Sequence, residues 1–164
     1  MHYQPQKNLL QNRIILVTGA SDGIGREAAL TYAEYGASVI LIGRNEEKLK
    51  GVAQEIEAAG GTLAAWYTLD LLTCTPEVCQ ELAQRISTRY PVLDGVLHNA
   101  GLLGDVCPMD EQDPDTWQQV MQVNVNGTFF LTQALLPLLL KSESGSLVFT
   151  SSSVGREGRA NWGA

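Results

Sequence analysis

The residues with the clearest chemical signature form a glycine-rich turn near the start of the chain, Thr18-Gly19-Ala20-Ser21-Asp22-Gly23-Ile24-Gly25. The turn follows a β-branched run and precedes a helical pattern, which is the context of a nucleotide-binding turn. We expect Gly19 to permit a sharp exit from the strand, Gly23 to let the backbone approach a pyrophosphate, and Gly25 to let the helix pack closely on the sheet. The free N–H groups at the start of the helix would then bind phosphate oxygens.

The turn has two other possible interpretations besides a dinucleotide site. A glycine-rich turn that binds no ligand is the plainer interpretation, but the strand–turn–helix context favours a binding role. A P-loop of the kind that binds nucleoside triphosphates ends in Gly-Lys followed by Ser or Thr, and no such triplet follows the turn. The turn therefore predicts binding of a dinucleotide.

The end of the second predicted strand bears on the choice of cofactor. An acid there would bind the 2′-hydroxyl of a ribose, whereas an arginine accommodates a 2′-phosphate. This sequence has Gly43-Arg44 and no acid at the strand end. Arg44 therefore favours NADP, with NAD as the alternative because Glu46 and Glu47 lie close by. The plainer interpretation of Arg44 is a solvated surface side chain.

Strands and helices alternate along the whole chain, and they are what must position these residues. Apolar, β-branched runs predict strands over residues 13–18, 38–42, 63–69, 94–98 and 146–150. Helical patterns lie between them, over residues 24–35, 46–60, 76–90 and 115–140, the last one bent near Pro137. This alternation predicts an α/β fold: a Rossmann-type, doubly wound parallel sheet in the strand order 3-2-1-4-5, with helices on both faces.

Several residues mark where the helices begin and end. Gly36 stands where a left-handed residue follows the first helix. Asn45 and Thr75 are predicted N-caps, and Pro76 suits the first position of its helix. The segment 101–113 is predicted to be a loop, and a loop of that length in a compact domain is often functional.

Composition excludes several classes of function. The chain has 164 residues with a net charge of −7, and 45% of them are hydrophobic, which suits one folded domain. An acidic chain is a poor partner for nucleic acid or an anionic membrane, because both need clustered positive charge. The three cysteines form no C-x-x-C pair, which fits a reducing compartment and predicts no metal site. No signal peptide or membrane-length apolar run is found, so we expect a cytoplasmic protein.

Four landmarks then occur in order along the chain. They are the glycine turn, Leu69-Asp70-Leu71 after the third strand, Asn99-Ala100-Gly101 after the fourth, and Ser151-Ser152-Ser153 after the fifth, with Asn124 inside the long helix. From about residue 11 onwards the chain resembles the short-chain dehydrogenase/reductase family. The resemblance implies an enzyme that transfers hydride between NADP(H) and a carbonyl or secondary alcohol substrate.

The resemblance also implies roles for individual residues. Those that would hold the cofactor are Gly19, Ser21, Asp22, Gly23, Ile24, Gly25, Arg44, Asp70, Leu71, Asn99, Ala100 and Gly101. Ser152 would bind and polarise the substrate oxygen, with Ser151 and Ser153 as close neighbours of that position. Asn124 would anchor a water in the family's proton relay. Without the resemblance, Asp70 and the serines would be interpreted as residues that close turns after their strands.

The family's catalytic tyrosine and lysine are expected after the last residue of this sequence. The family uses a Tyr-x-x-x-Lys pair placed after the serine, and by that pattern the tyrosine would fall just past Ala164. We therefore expect a single dinucleotide-binding domain, residues 1–164, that continues in a longer protein. The alternative is a non-catalytic NAD(P)-binding module, or a fragment that is catalytically incomplete. Family members commonly form homodimers or homotetramers through their long helices, and we expect the same here.

Overall fold

The fold was determined as a computed structural model, which describes residues 5–62 and 65–162. Its centre is a parallel sheet of the strands β1 (Ile14–Thr18), β2 (Ser38–Gly43), β3 (Ala65–Thr68), β4 (Gly95–His98) and β5 (Ser146–Phe149), in the order β3-β2-β1-β4-β5. The predicted strand order is confirmed. The first two residues of the predicted third strand, 63 and 64, lie outside the described residues.

The helices that connect the strands begin and end close to the predicted signals. They are α1 (Gly23–Glu34), α2 (Glu46–Ala58), α3 (Pro76–Arg89), α4 (Pro114–Met121) and α5 (Thr128–Leu139). The Asn45 side chain accepts a hydrogen bond from the Lys48 N–H at 3.0 Å, and the Thr75 hydroxyl accepts one from the Val78 N–H at 3.4 Å. Both predicted N-caps are confirmed, and Gly36 has the expected positive φ of 97°.

The sheet is buried on both faces because its side chains alternate between two apolar clusters. In β2, Ile40 and Ile42 pack with residues of α3 and α5, while Val39 and Leu41 pack with residues of α1 and α2. All four side chains are at most 1% exposed. This burial fixes the register of the strands and brings their carboxyl ends to one edge of the sheet.

The predicted long helix is interrupted. Residues Gln122–Gly127 form a π-helical segment between α4 and α5, and Pro137 lies inside α5. Single π-helical turns within α-helices are rare and occur frequently at functional sites. A Cβ on Gly127 would stand 2.8 Å from the Leu71 carbonyl oxygen, so this segment is pressed against the loop that follows β3.

The outer strand β5 is an uncovered edge in the described part of the chain. Leu147, Val148 and Phe149 are all exposed, and an exposed apolar edge strand is a surface on which further strands can pair. No described helix is both long and apolar enough to cross a lipid bilayer.

Candidate functional site

A cavity of about 550 Å³ lies at the carboxyl ends of β1, β2 and β4. In parallel sheets of this type, ligands bind where the strand order reverses, and here that point lies between β1 and β4. The cavity collects most of the predicted cofactor residues: Gly19, Ser21, Asp22, Arg44, Asp70, Leu71, Asn99, Ala100 and Gly101 all line it. Of the predicted residues, Gly23, Ile24, Gly25, Asn124 and Ser152 are not among its lining residues.

The glycine turn is shaped by close contacts with the segment after β4. Gly19 has a φ of +66°, and a Cβ there would stand 3.0 Å from the Ala100 Cα atom. A Cβ on Gly25 would collide with the Gly19 carbonyl oxygen and stand 2.7 Å from the Asn99 Nδ2 atom. Gly25 thus packs against the turn and Asn99, where we predicted close packing on the sheet. Gly23 has a φ of +53° and open space around it, which leaves its backbone accessible to a ligand.

Thr18 joins the glycine turn to the wall made by Asn99 and Ala100. Its hydroxyl oxygen accepts hydrogen bonds from the Asn99 N–H at 3.0 Å and the Ala100 N–H at 3.1 Å. The side chain is 1% exposed, so these two bonds satisfy its buried oxygen. No role was predicted for Thr18 from the sequence. Its only signal there is its position immediately before Gly19, the first glycine of the turn.

Charged side chains line the cavity near the end of β2, where Arg44 lies. The Asp22 carboxylate accepts hydrogen bonds from the Lys48 ammonium group at 2.7 Å and from the Gly23 N–H at 2.9 Å. The Lys48 bond, followed by that of Gly23, lowers the pKa of Asp22, so the carboxyl is ionised at neutral pH. Arg44 is exposed at the end of β2 and forms no ion pair among the described residues.

Asp70 and Leu71 lie on the opposite wall of the cavity. The Asp70 Oδ1 atom accepts a hydrogen bond from the Leu72 N–H at 3.0 Å, so the side chain closes a turn after β3. Its second oxygen makes no hydrogen bond within the described part of the chain. The Leu71 carbonyl oxygen accepts a bond from the Gln122 side chain at 3.2 Å, which ties this wall to the π-helical segment.

Asn124 projects from the π-helical segment towards the rim of the cavity. Its amide nitrogen donates to the Leu102 carbonyl oxygen and its amide oxygen accepts from the Leu102 N–H, each at 2.8 Å. Leu102 itself lines the cavity. The side chain that the resemblance assigns to the catalytic set is therefore used to hold the segment after β4 in place.

Ser152 follows β5 and is exposed. Its carbonyl oxygen accepts the Gly155 N–H at 3.1 Å, at the start of a short 3₁₀ turn, Ser153–Gly155. Two residues earlier, the Thr150 hydroxyl donates to the Asn99 side-chain oxygen at 3.2 Å. The end of β5 is thus joined to the cavity wall, with Ser152 beyond it.

His98 lies beneath the site, at the end of β4. It is 4% exposed, is bonded to the Thr132 hydroxyl at 2.9 Å and stacks on Phe149 with ring centroids 5.0 Å apart. Burial lowers the pKa of His98 to about 4, so the ring is neutral near pH 7. Buried, hydrogen-bonded and stacked, the neutral His98 ring packs the end of β4 against α5 and β5.

Comparison with known proteins agrees with the fold and the motifs. The short chain dehydrogenase family matches residues 13–164, and the chain belongs to that family. The chain is 76% identical over 164 residues to a protein named uncharacterized oxidoreductase YciK from Escherichia coli K12, and it covers 65% of that protein. It thus spans just under two thirds of this relative's length.

Solved structures of similar proteins include complexes with a cofactor. A short chain dehydrogenase from Escherichia coli CFT073 in complex with NADPH is 75% identical, with a TM-score of 0.95 over 97% of this chain and 66% of that one. A short chain dehydrogenase from Shigella flexneri in complex with NADP is 74% identical, with a TM-score of 0.94 over 96% of this chain and 66% of that one.

The tyrosine–lysine pair of the family has no counterpart after Ser152 in this sequence. The one Tyr-x-x-x-Lys spacing in the chain, Tyr3 to Lys7, lies ahead of β1, and Tyr3 lies outside the described residues. A pair at that position does not fit the family's pattern, in which the tyrosine follows the serine.

Proposed function

We propose that the protein is an oxidoreductase that moves hydride between NADP(H) and a carbonyl or secondary alcohol substrate. The observation that carries this proposal is the single cavity in which the glycine turn, Arg44 and Asp70 all take part. A phosphate-binding turn and a cation for a 2′-phosphate together suit one NADP molecule. The family resemblance adds a role for Asp70, whose carboxylate would bind the adenine amino group. Similar proteins crystallised with NADPH and NADP support the same cofactor.

The chain's own residues would bind and orient that cofactor. The N–H groups in the first turn of α1 would bind the pyrophosphate, with Ser21 and Ile24 beside them. The Gly23 N–H is donated to the Asp22 side chain, so the role of Gly23 would be to leave room for the phosphates to approach. Asn99, Ala100 and Gly101 would form the floor, since small residues there permit close approach. When bound, NADPH supplies hydride from the nicotinamide, and the protein's task is positioning and polarisation.

Two residues are proposed for the chemical step. Ser152 would donate a hydrogen bond to the substrate oxygen, which polarises a carbonyl for attack by hydride. Asn124 would hold the π-helical segment against the loop after β4 through its bonds to Leu102. The proton relay that the family resemblance implies would then have a fixed geometry beside the substrate. In the family pattern the general acid is the tyrosine of the Tyr-x-x-x-Lys pair.

The test of this function uses the full-length protein. Titration with NADPH and NADH measures cofactor choice, and loss of NADPH absorbance over a panel of aldehydes and ketones measures turnover. We expect tighter binding of NADPH and turnover of at least one carbonyl class. Absence of NADPH binding would overturn the proposal, and tight binding without turnover across the panel would favour the non-catalytic binding module instead.

We also propose that the protein is a cytoplasmic homodimer or homotetramer. Phe129 and Leu136 of α5, and Leu140 immediately after it, are 58%, 41% and 76% exposed and follow one another at helical spacing on one side. An apolar stripe of this kind is typical of a surface that associates. The proposal of a cytoplasmic location rests on the three free cysteines of the chain, Cys74, Cys79 and Cys107, which suit a reducing compartment. Light scattering after size-exclusion chromatography would test the oligomer, with a monomer as the contrary result.

A further inference from the structure

Lys48 takes a position that no pattern in the sequence indicated. It lies in the first turn of α2 and reaches across the cavity rim to Asp22 in the glycine turn, with 2.7 Å between the ammonium nitrogen and the carboxylate oxygen. Lys48, Asp22 and Arg44 all line the same cavity. Two segments that are far apart in sequence are therefore joined by a cation at the edge of the proposed cofactor site.

Charged side chains of both signs surround this rim, and Glu46 and Glu47 line a neighbouring cavity together with Arg44 and Asp70. Glu46 and Glu47, the acids closest to Arg44 in sequence, both pair with Lys50 at 3.0 Å. Lys50 is not among the residues that line the cavity. Asp22 pairs with Lys48, and Arg44 has no ion-pair partner within the described ranges. The cations on the cavity side are thus Arg44 and Lys48.

We propose that Lys48 is a second cation for the 2′-phosphate of NADP(H), beside Arg44, and that Asp22 holds it in position. This inference rests on the proposed function and names a specificity residue for it. An ammonium group has three N–H donors, and Asp22 takes one of them, which leaves two for phosphate oxygens. A phosphate monoester carries between one and two negative charges at neutral pH, so its oxygens can accept charged hydrogen bonds from both Arg44 and Lys48, although Asp22 offsets part of the Lys48 charge.

A structural role alone explains the pair poorly. Both side chains are exposed, and an exposed ion pair contributes little to the free energy of folding. The geometry has a clearer consequence for binding: the bond to Asp22 restricts a flexible lysine to the rim of the cavity before the cofactor arrives. Less side-chain freedom is then lost on binding than with an unrestrained lysine.

The decisive comparison is between Lys48→Met and Lys50→Met. The two substitutions remove the same charge from the same helix, but only Lys48 lines the cavity. We expect Lys48→Met to weaken NADPH binding by about tenfold, the effect of one charged hydrogen bond, and to change NADH binding less than about twofold. Lys50→Met should change both by less than about twofold, and Lys48→Arg should keep the preference for NADPH.

Calorimetric titration of the full-length protein with NADPH, NADH, adenosine 2′,5′-bisphosphate and adenosine 5′-monophosphate gives these values. A loss confined to the two 2′-phosphorylated ligands supports the proposal. Equal losses for phosphorylated and unphosphorylated ligands, or equal effects of Lys48→Met and Lys50→Met, overturn it. If the unsubstituted protein does not prefer NADPH to NADH, the proposed function fails on cofactor choice. If the unsubstituted protein prefers NADPH and Lys48→Met keeps that preference, only the inference about Lys48 fails.

Discussion

The amide group of Asn124 and the backbone of Leu102 form a reciprocal pair of hydrogen bonds, each 2.8 Å long. One side chain thereby satisfies both the donor and the acceptor of a residue in the segment that follows β4. Asn124 can reach Leu102 from within the π-helical segment Gln122–Gly127. The interruption of the helix and the position of the cavity rim are therefore linked.

Replacement of Asn124 by Ala should loosen this link. Two hydrogen bonds would be lost, and we expect the free energy of unfolding to fall by about 1–2 kcal/mol. Turnover should fall more than NADPH affinity, because Asn124 does not itself line the cofactor cavity and is proposed to fix the geometry beside the substrate. Chemical denaturation and steady-state kinetics of the full-length protein measure the two effects.

Asn126→Ala is the matched control, since Asn126 lies in the same π-helical segment and makes one long bond, 3.3 Å, to Gln122. We expect this variant to stay within about 0.5 kcal/mol of the unchanged protein. Equal effects of the two substitutions on stability and turnover would show that the Leu102 pair has no special role.

Gly25→Ala should damage the glycine turn directly. The added methyl group would meet the Gly19 carbonyl oxygen and the Asn99 side chain, which are both part of the packed turn. We expect a loss of about 2–4 kcal/mol of stability, from overpacking against backbone, and a large loss of NADPH affinity. Thermal unfolding with and without NADPH would measure both effects.

Gly51→Ala is the control for that substitution. Gly51 lies in α2 with open space around a Cβ position, and alanine is a better helix former than glycine. This variant should gain up to about 1 kcal/mol and bind NADPH as before. If Gly25→Ala were as harmless as Gly51→Ala, the close packing at Gly25 would not limit binding.

Much of the fold could be predicted from the sequence because its local signals agree with its topology. Apolar runs between capped helices predict parallel strands, and the rules for right-handed crossovers leave few strand orders. Asn45 and Thr75 cap their helices as predicted, since an N-cap bond joins residues only a few positions apart. Residues after strands could be placed in one cavity for a similar reason: the carboxyl ends of parallel strands meet at one edge.

The rest depends on contacts between distant segments. The π-helical segment was predicted as plain helix, because over six residues the apolar pattern does not distinguish the two forms. Gly127 and Asn124 of this segment contact residues far away in sequence, which no local pattern indicates. The pairing of Lys48 with Asp22 is of the same kind. A lysine near a helix N-terminus gives no signal that it will reach another turn.

Ser152→Ala tests the proposed substrate contact. The side chain is exposed and outside the cavity lining, so its removal should leave folding and NADPH affinity nearly unchanged. Turnover should fall by about a hundredfold or more, because a hydrogen bond to the developing oxyanion is lost. Ser153→Ala is the matched control and should keep most activity. A larger loss of turnover in Ser153→Ala than in Ser152→Ala would assign the substrate contact to Ser153 instead.

His98 should make the stability of the protein depend on pH. Burial lowers its pKa from 6.5 to about 4, so between these values the unfolded chain binds a proton that the folded chain does not. Stability from this group is therefore complete above about pH 6.5 and is lost as the pH falls towards 4. From about pH 7.5 to about pH 5 we expect a loss of about 2 kcal/mol from this residue.

Replacement of His98 by Asn removes the titrating ring and should remove that part of the pH dependence. The variant will be less stable overall, since the bond to Thr132 and the stacking on Phe149 are disturbed. The informative quantity is therefore the difference in unfolding free energy between the two pH values, measured by denaturant titration for each protein. A smaller pH difference in the variant is expected, because acids elsewhere titrate in both proteins alike. If the pH difference were the same with and without the ring, His98 would not be held neutral by burial in the folded protein.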